Sequence, residues 1–400
     1  MKDKITIGLF MDSFFPMLDG VTMVMDNYAK RLIKYANVIV FVPEAKEKFD
    51  DSKLPYKVVR CKSLDLPFID YGMPIPKLDK KFKDQLNDYD LDIVHIHSPF
   101  MMGELGISYA RKHNIPVVAT MHSQFKQDFK RAVKIDKLAG TLNKIPIHTF
   151  NKCDECWAVN AEVARIFYED YKCKKKPKVM NNATEMMPVE DLEKAKNLIN
   201  EKHGISPDEK VLLFVGRINK LKNIMFIADS IKYLKDELNP DLKFKMLFVG
   251  SGQDEEELKE RIKANKIEDK VIMCGRVSNR ELLASYYARA DLFVFPSLYD
   301  ASSIVQIEAA SQHTPVVFLK GSATSCMIKD KVNGFLAEHD IKDFANVINN
   351  ALTDNDLYEK VSNNCFKEIY KNWDDAIEEV YNNYLEIIEK YKKQKKNVQN

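Results

Sequence analysis

Short apolar runs alternate with longer amphipathic stretches along the first half of the chain. The runs Ile5–Phe10, Val38–Val42, Ile93–Ile96 and Val117–Met121 are rich in branched side chains, and segments of helical length such as Val21–Tyr35 lie between them. Apolar runs of about five residues are typical of strands that are buried on both faces of a parallel sheet. The pattern therefore predicts repeated β-α-β units.

The same alternation restarts in the second half of the chain. Its apolar runs are Val211–Val215, Phe244–Val249, Val271–Cys274, Leu292–Phe295 and Pro315–Leu319. Between the two series, the basic stretch Lys172–Lys178 is followed by Asn181–Thr184, which marks the predicted domain boundary. We predict an α/β protein with two Rossmann-like parallel-sheet domains, 1–180 and 181–374, and a last helix over 375–391 before a tail that frays.

Composition narrows the class of protein. A chain of 400 residues, 45% hydrophobic and 30% charged, suits two globular domains and excludes wholesale disorder. No apolar stretch approaches the roughly 20 residues of a membrane-spanning helix, and the N-terminal residues enter a strand without a secretion signal. The 7 cysteines are interpreted as reduced thiols, which favours a cytoplasmic protein.

Charge is distributed unevenly between the two halves. Residues 1–180 contain 30 Lys/Arg and 23 Asp/Glu, a balance of +7, whereas the remaining residues contain 31 and 36, a balance of −5. The excess concentrates in Ser123–Lys152, which interleaves apolar residues with the cations Lys126, Lys130, Arg131 and Lys134. Such a segment is typical of a helix that lies on anionic lipid, and the alternative is a solvated basic helix over the core.

Cations follow one strand of the second half. Arg217 and Lys222 lie in Gly216–Asn223, directly after the run that ends at Val215. Ligands of open α/β sheets bind beyond the carboxyl ends of the strands, and both side chains are suited to phosphate. This loop therefore predicts a phosphate site, although a surface cation alone is common.

A carboxylate pair follows a neighbouring strand. Asp300 and Glu308 flank a helix start at Ser302-Ser303, where free N–H groups favour a phosphate. Eight residues of helix span about 12 Å, whereas the two carboxyl groups of a glycosidase lie roughly 5–9.5 Å apart. The spacing favours carboxylates that bind different parts of one long ligand, and the alternative is a helix cap with a surface glutamate.

Candidate residues of the first half also lie near strand ends. Gly20 lies in the long loop Asp12–Val21 and could bring backbone against a ligand. His122 ends a strand, and we expect His97 to line a pocket while His95 is packed. We predict no metal site, no cofactor and no nucleic-acid partner.

Together these motifs resemble the family-4 glycosyltransferases, which are retaining enzymes with the GT-B fold, over nearly the whole chain. The strongest matches are Gly216–Asn223 and Asp300–Glu308, and Phe248–Leu258 and Cys274–Ser297 support them. Asp92–Phe100 and Val117–Phe125 are most similar to the branch that glycosylates membrane lipids such as diacylglycerol or phosphatidylinositol. The resemblance implies two domains facing across a cleft, with the last helix packed back on the first domain.

The resemblance also implies a role for each candidate residue. Arg217 and Lys222 would hold the donor diphosphate, and Asp300 and His122 would contact the transferred sugar. The implied donor-binding residues are Gly20, Arg276, Val277, Ser302, Ser303, Ile304 and Glu308, with Glu308 on the ribose and residues 276 and 277 beside the base. Those on the acceptor or membrane side are His97, Lys126, Lys130, Arg131 and Lys134.

The implied reaction is transfer of a hexose, most simply glucose, from a nucleoside diphosphate (UDP in our expectation) to a lipid such as diacylglycerol at the inner face of the cell membrane. A cell-surface glycan or soluble acceptor and an inactive sugar-nucleotide-binding module are the alternatives. The chain departs from the family pattern where Asp300 replaces the usual Glu, Ser302-Ser303 replaces Phe-Gly, and Ala183 replaces a Gly. These departures bear on the donor sugar and on activity.

Overall fold

The computed structural model describes residues 4–17, 19–65, 72–122, 142–298, 300 and 304–399. The chain divides into two compact units. The first unit comprises the described residues up to Asn182 together with the C-terminal residues from Trp373, and the second unit is Ala183–Asn372. Each unit is built around its own parallel sheet.

The sheet of the first unit has the strand order β3-β2-β1-β6-β7-β8-β9. Its strands are β1 Thr6–Phe10, β2 Asn37–Pro43, β3 Lys57–Cys61, β6 Ile93–Ile96, β7 Val117–Met121, β8 Glu155–Ala158 and β9 Lys178–Val179. A separate antiparallel pair consists of β4 Ser63–Leu64 and β5 Met73–Pro74. Every pairing in the larger sheet is parallel, so the carboxyl ends of its strands share one edge.

Helices cover this sheet. They are α1 Gly20–Leu32, α2 Lys80–Asn87, α3 Met101–His113, α4 Lys144–Phe150 and α5 Ala161–Arg165. Helix α1 begins at Gly20 and not after Val21, because the Asp19 carboxylate caps it by accepting a hydrogen bond of 2.7 Å from the Thr22 amide. The loop predicted up to Val21 therefore ends earlier, and Gly20 is the first helical residue.

The last helix, α13 Trp373–Gln399, belongs to the first unit. Trp373 packs edge-on against Tyr28 at 5.9 Å between ring centroids, and Tyr384 stacks on Trp157 at 5.4 Å. The helix is longer than the predicted 375–391, because it continues through the lysine-rich residues. Long unbranched side chains favour a helix, and pairs such as Lys393 with Glu389 lie one turn apart.

The second unit repeats the architecture with the strand order β12-β11-β10-β13-β14-β15. Its strands are β10 Lys210–Val215, β11 Phe244–Val249, β12 Val271–Gly275, β13 Leu292–Val294, β14 Val316–Leu319 and β15 Phe335–Ala337. Its helices are α6 Leu192–His203, α7 Ile224–Tyr233, α8 Glu255–Ala264, α9 Arg280–Arg289, α10 Ile304–Ser311, α11 Ile341–Thr353 and α12 Asn355–Ile369.

Both sheets have the order expected of a Rossmann fold, in which the first strand of the unit lies at the point where the order reverses. The predicted α/β class with two Rossmann-like parallel sheets is confirmed. Among the described helices, none is both long enough and apolar enough to cross a membrane.

Candidate functional site

The loop after β10 carries the two predicted cations. Arg217 is exposed, and Lys222 ends a 3-10 turn that begins at Lys220. The Asn219 side chain caps this turn by accepting from the Lys222 amide at 3.3 Å, and Asn223, in the left-handed region at φ 59°, leads into α7. The backbone therefore fixes where the Lys222 side chain starts.

Glycines in the loop after β11 support the loop after β10. A Cβ atom on Gly250 would lie 1.8 Å from the Gly216 carbonyl oxygen, and the Ile218 amide donates to the Ser251 carbonyl at 3.0 Å. Because Gly250 has no side chain, the backbone of Gly216 can lie directly against it. This contact holds the loop that carries Arg217 against the loop after β11.

Lys222 and Asp300 meet at the carboxyl ends of β10 and β13. The two side chains form an ion pair, each about one-fifth exposed, and the Lys222 ammonium lies 5.3 Å from the ring centroid of Phe295. The second carboxylate oxygen of Asp300, Oδ2, is buried and has no hydrogen-bond partner among the described residues. This oxygen is a ready acceptor for a ligand hydroxyl.

Glu308 lies on α10 and is only 5% exposed. Its Oε1 accepts from Arg280 at 2.6 Å and its Oε2 accepts from the Tyr287 hydroxyl at 3.1 Å. Burial, and then the Glu308 carboxylate, raise the pKa of Tyr287 well above its usual value, so the hydroxyl remains a donor. Sequence reasoning missed both partners, although their spacing of seven residues places them on one face of α9.

Three further residues predicted on the donor side, Arg276, Val277 and Ile304, follow strands of the same sheet. Arg276 is exposed and Val277 is partly buried in the loop between β12 and α9, and Gly275 before them has φ 69°. Ile304 is the first residue of α10. Ser302 and Ser303 lie outside the described residues.

In the first unit, His95 lies on β6 and His97 directly follows this strand. His95 is fully buried, with Nδ1 2.5 Å from the Tyr384 hydroxyl oxygen and Nε2 2.7 Å from Thr120 Oγ1. It is packed, as the sequence predicted. Its ring centroid lies 4.1 Å from that of His97.

The side chain of His97 contacts that of His122, the residue that follows β7. His97 Nδ1 lies 3.1 Å from His122 Nε2, and the two rings stack. His97 is 3% exposed, and its place on the acceptor side stays a prediction. Its second nitrogen, Nε2, is buried and has no partner among the residues that the structure describes.

Burial keeps all three imidazoles neutral. It lowers the pKa of His95 and His97 well below the usual value, helped by the neighbouring rings, and it lowers the pKa of His122 to about 3. A neutral imidazole has one donor and one acceptor nitrogen. His122, whose Nε2 faces His97, therefore has an Nδ1 atom for which the described residues provide no hydrogen-bond partner.

Gly20 leaves free space at the start of α1, since a Cβ atom there would meet nothing within 4 Å among the described residues. The packing of the described part of the first unit therefore does not itself require a glycine at position 20. The basic residues Lys126, Lys130, Arg131 and Lys134 lie outside the described residues.

Two family models match the chain, one on each half. The model described as Glycosyltransferase Family 4 matches residues 18–185, and the model described as Glycosyl transferases group 1 matches residues 195–368. The second range contains Arg217, Lys222, Asp300 and Glu308, and the first contains His122.

Curated relatives extend over most of the chain. An alpha-monoglucosyldiacylglycerol synthase of Streptococcus pneumoniae is 28% identical over 407 aligned positions, which cover 96% of this chain and 88% of that protein. A protein of the same name from Acholeplasma laidlawii is 25% identical and covers 82% of this chain and 83% of its own length.

Solved structures share the fold. The crystal structure of Anabaena HepE in complex with UDP and glucose is similar at a TM-score of 0.70 and 15% identity, covering 95% of this chain and 99% of HepE. Sucrose-phosphate synthase of Thermosynechococcus elongatus is similar at a TM-score of 0.75 and 19% identity, covering 96% and 99%. The chain therefore belongs to the family-4 glycosyltransferases, and it is a hexosyltransferase with the GT-B fold.

Proposed function

We propose that this enzyme transfers glucose from UDP-glucose to diacylglycerol, with retention of the anomeric configuration. The observation that carries the proposal is the Lys222–Asp300 pair, which presents a cation and an unoccupied buried oxygen together at the strand ends. The two relatives named alpha-monoglucosyldiacylglycerol synthase support the acceptor, and the UDP in the HepE crystal supports the nucleotide.

The proposed chemistry depends on charge at the leaving group. As the bond between the sugar and the diphosphate breaks, negative charge grows on the diphosphate and positive charge grows at the anomeric carbon. Arg217 and Lys222 would meet the growing negative charge, and fixed charges of this kind act most strongly in the transition state. The acceptor hydroxyl attacks on the face from which the diphosphate leaves and gives its proton to the departing phosphate oxygen, so the configuration is kept.

The carboxylates would hold the two ends of the donor. Asp300 Oδ2 would accept a hydroxyl of the sugar while Oδ1 keeps Lys222 in place. Glu308 already accepts from Arg280 and Tyr287, and a carboxylate with about four lone-pair sites can still accept two ribose hydroxyls. His122 would contact the transferred sugar through Nδ1, with its ring held by His97.

A panel of donors and acceptors tests the proposal. The purified enzyme is incubated with UDP-, GDP- and ADP-hexoses and either diacylglycerol or a total lipid extract, and the products are identified by mass spectrometry. We expect UDP-glucose to give a monoglucosyl diacylglycerol with an α-linkage by NMR. A β-linked product would refute retention, and no product with diacylglycerol would refute the acceptor.

The same panel includes a second acceptor class, a lipid-linked saccharide of the cell surface. An Escherichia coli relative named UDP-Gal:alpha-D-GlcNAc-diphosphoundecaprenol alpha-1,3-galactosyltransferase is 27% identical over 72% of this chain and 75% of that protein. A product on such a saccharide, without one on diacylglycerol, would favour this class. In either case Asp300→Glu should change the preference among donor sugars if residue 300 contacts the sugar.

We also propose that the enzyme works at an anionic membrane surface, to which the basic residues Lys126, Lys130, Arg131 and Lys134 contribute. Replacing all four with Gln should weaken sedimentation with vesicles that contain anionic lipid, and added salt should weaken it further. Sedimentation that is unchanged by both treatments would refute this role of the segment.

A further inference from the structure

A groove of about 920 Å³ opens on the first unit. Its walls are the 3-10 turn Pro76–Leu78, the beginning of α3 at Met101, and α4. All of its lining residues belong to the described part of the first unit, and it is separate from the histidines of β6 and β7. We name it the Leu78 groove.

Large apolar side chains around the Leu78 groove are unusually exposed. Leu78 is 81% exposed, Ile145 53% and Met101 44%, and within the described chain no large hydrophobic side chain is more exposed than Leu78. Single exposed apolar residues are ordinary, but several gathered at one groove mark a surface that contacts another molecule. The groove therefore has the composition of a binding surface.

The charge at this groove is positive. Lys77 and Lys144 are exposed at its edge, and no described carboxylate forms an ion pair with either of them. The one carboxylate among its lining residues, Glu104, is neutralised by Lys152 at 2.7 Å. Among the described residues, two ammonium groups without a paired carboxylate thus remain beside the apolar side chains.

This combination distinguishes between the possible occupants. A second copy of the chain on a twofold axis would bring Lys77 and Lys144 towards the same two lysines, which is unfavourable. Free diacylglycerol is neutral and would leave both ammonium groups without a partner. The surface of a bilayer rich in anionic phospholipid offers both acyl chains for the apolar residues and phosphates for the lysines.

We propose that the Leu78 groove docks the first unit on a bilayer of anionic phospholipid. Leu78, Ile145 and Met101 enter the region between headgroups and acyl chains, and Lys77 and Lys144 contact lipid phosphates. The docking would bring the enzyme to the layer that contains the proposed lipid acceptor, and in that respect it rests on the proposed function. It depends on residues other than the basic ones between residues 126 and 134.

Vesicle flotation of the full-length protein, without donor or acceptor, tests the docking. The vesicles are phosphatidylcholine alone or an equal mixture of phosphatidylcholine and phosphatidylglycerol, and we expect binding to the mixture. Leu78→Ser and Ile145→Ser should each weaken binding about tenfold, since each removes one buried aliphatic side chain. Lys77→Gln and Lys144→Gln should each weaken it about fivefold, and only on the anionic vesicles at low salt.

Matched controls come from the second unit. Leu198→Ser changes a leucine that is 46% exposed on α6, and Lys263→Gln changes an exposed lysine on α8. Both controls should bind as the unchanged protein does. Each variant is used only if its tryptophan fluorescence and melting temperature match those of the parent, so that misfolding is not scored as lost docking.

Three results would overturn the docking proposal. These are equal binding to vesicles with and without phosphatidylglycerol, unchanged binding of both Leu78→Ser and Ile145→Ser, and a protein that binds no vesicles but forms dimers that Leu78→Ser dissociates. Because flotation is measured without substrates, an enzyme that uses a different acceptor would leave the outcome unaffected. The two proposals can therefore fail separately.

Discussion

At the scale of residues, the Lys222–Asp300 pair would arrange the proposed donor site before a donor arrives. The ammonium is already held by a carboxylate at the strand ends, so little side-chain reorganisation is needed when a diphosphate binds. Such preorganisation is the main source of electrostatic catalysis. Arg217, which is exposed on the same loop, adds a second cation.

We predict that Arg217→Ala and Lys222→Ala each lower kcat/KM at least about 100-fold, because each removes a cation from the developing diphosphate. Lys220→Ala is the control, since Lys220 lies on the same turn but pairs with Glu257 at 2.7 Å. Steady-state kinetics with the best donor of the panel measures the effect, and circular dichroism checks the fold. Near-normal activity in either variant would contradict the assignment.

The histidines predict a pH dependence of stability. His97 is neutral when folded but is protonated in the unfolded chain below about pH 6.5, so the free energy of unfolding falls as pH falls. For each proton that the unfolded chain binds and the folded protein does not, the free energy of unfolding changes by about 1.4 kcal/mol per pH unit well below pH 6.5. His97→Asn should reduce the slope by this amount.

Urea titrations between pH 7 and pH 5 measure this slope. The two tryptophans of the chain, Trp157 and Trp373, both lie in the first unit, so their fluorescence follows the unit that contains His97. The control is His113→Asn, which makes the same substitution at an exposed position of α3. Parallel stability curves for His97→Asn and the parent would show that His97 takes up its proton in the folded state as well.

At the scale of elements, α13 completes the core of the first unit. Its Tyr384 ring stacks on Trp157, and its hydroxyl meets His95 Nδ1. The packing of this one helix therefore determines whether Nδ1 of the buried His95 has a partner. A helix that is distant in sequence supports the strand that leads into His97.

We predict that Tyr384→Phe destabilises the first unit by about 1–3 kcal/mol, because it keeps the ring but leaves a buried nitrogen of His95 without a partner. Tyr381→Phe is the matched control on the same helix, since Tyr381 is only partly buried and contacts Tyr35 through its ring. Urea unfolding followed by tryptophan fluorescence compares the two. Equal stability of the two variants would show that the hydroxyl contact contributes nothing.

The elements differ in how far the sequence could predict them. Strands such as β6 and β7 were predicted residue for residue, because largely apolar runs, here broken only by His95 and Thr120, occur where a strand is buried on both faces. The strand β8, Glu155–Ala158, was missed, since it is short and begins with a charged residue. A run of four residues is too short for its hydrophobic pattern to identify a strand.

Contacts across long stretches of sequence were harder to predict than strands. The ends of β10 and β13 indicated Lys222 and Asp300 correctly as neighbours, because carboxyl ends of parallel strands share an edge. The contact of His95 with Tyr384 joins residues 289 positions apart, and only the packing of α13 brings them together. No local pattern contains that information.

At the scale of the whole molecule, the candidate donor residues come from several loops that follow strands of one sheet. The loops after β10, β11, β12 and β13 contact one another through backbone hydrogen bonds and the Lys222–Asp300 pair. For example, the Gly250 amide donates to the Gly275 carbonyl at 2.8 Å. A nucleotide that binds there should affect all of these loops together.

We predict that UDP slows amide hydrogen exchange in three segments of the second unit, residues 216–223, 275–280 and 304–308. At a hundredfold excess over its Kd, UDP should stabilise the folded protein by about 2.7 kcal/mol. Exchange followed by mass spectrometry measures the protection, and Arg217→Ala should weaken UDP binding. Protection confined to other segments would place the nucleotide elsewhere.

The membership of α13 in the first unit has a consequence for synthesis. Residues from Trp373 onward are translated after the whole of Ala183–Asn372, yet they cover Tyr28 and Trp157. On the ribosome, the second unit can therefore finish folding while the earlier-made unit still exposes its aromatic side chains. The order of completion reverses the order of translation, and chaperones that bind nascent chains would find their exposed surface on the part that is made first.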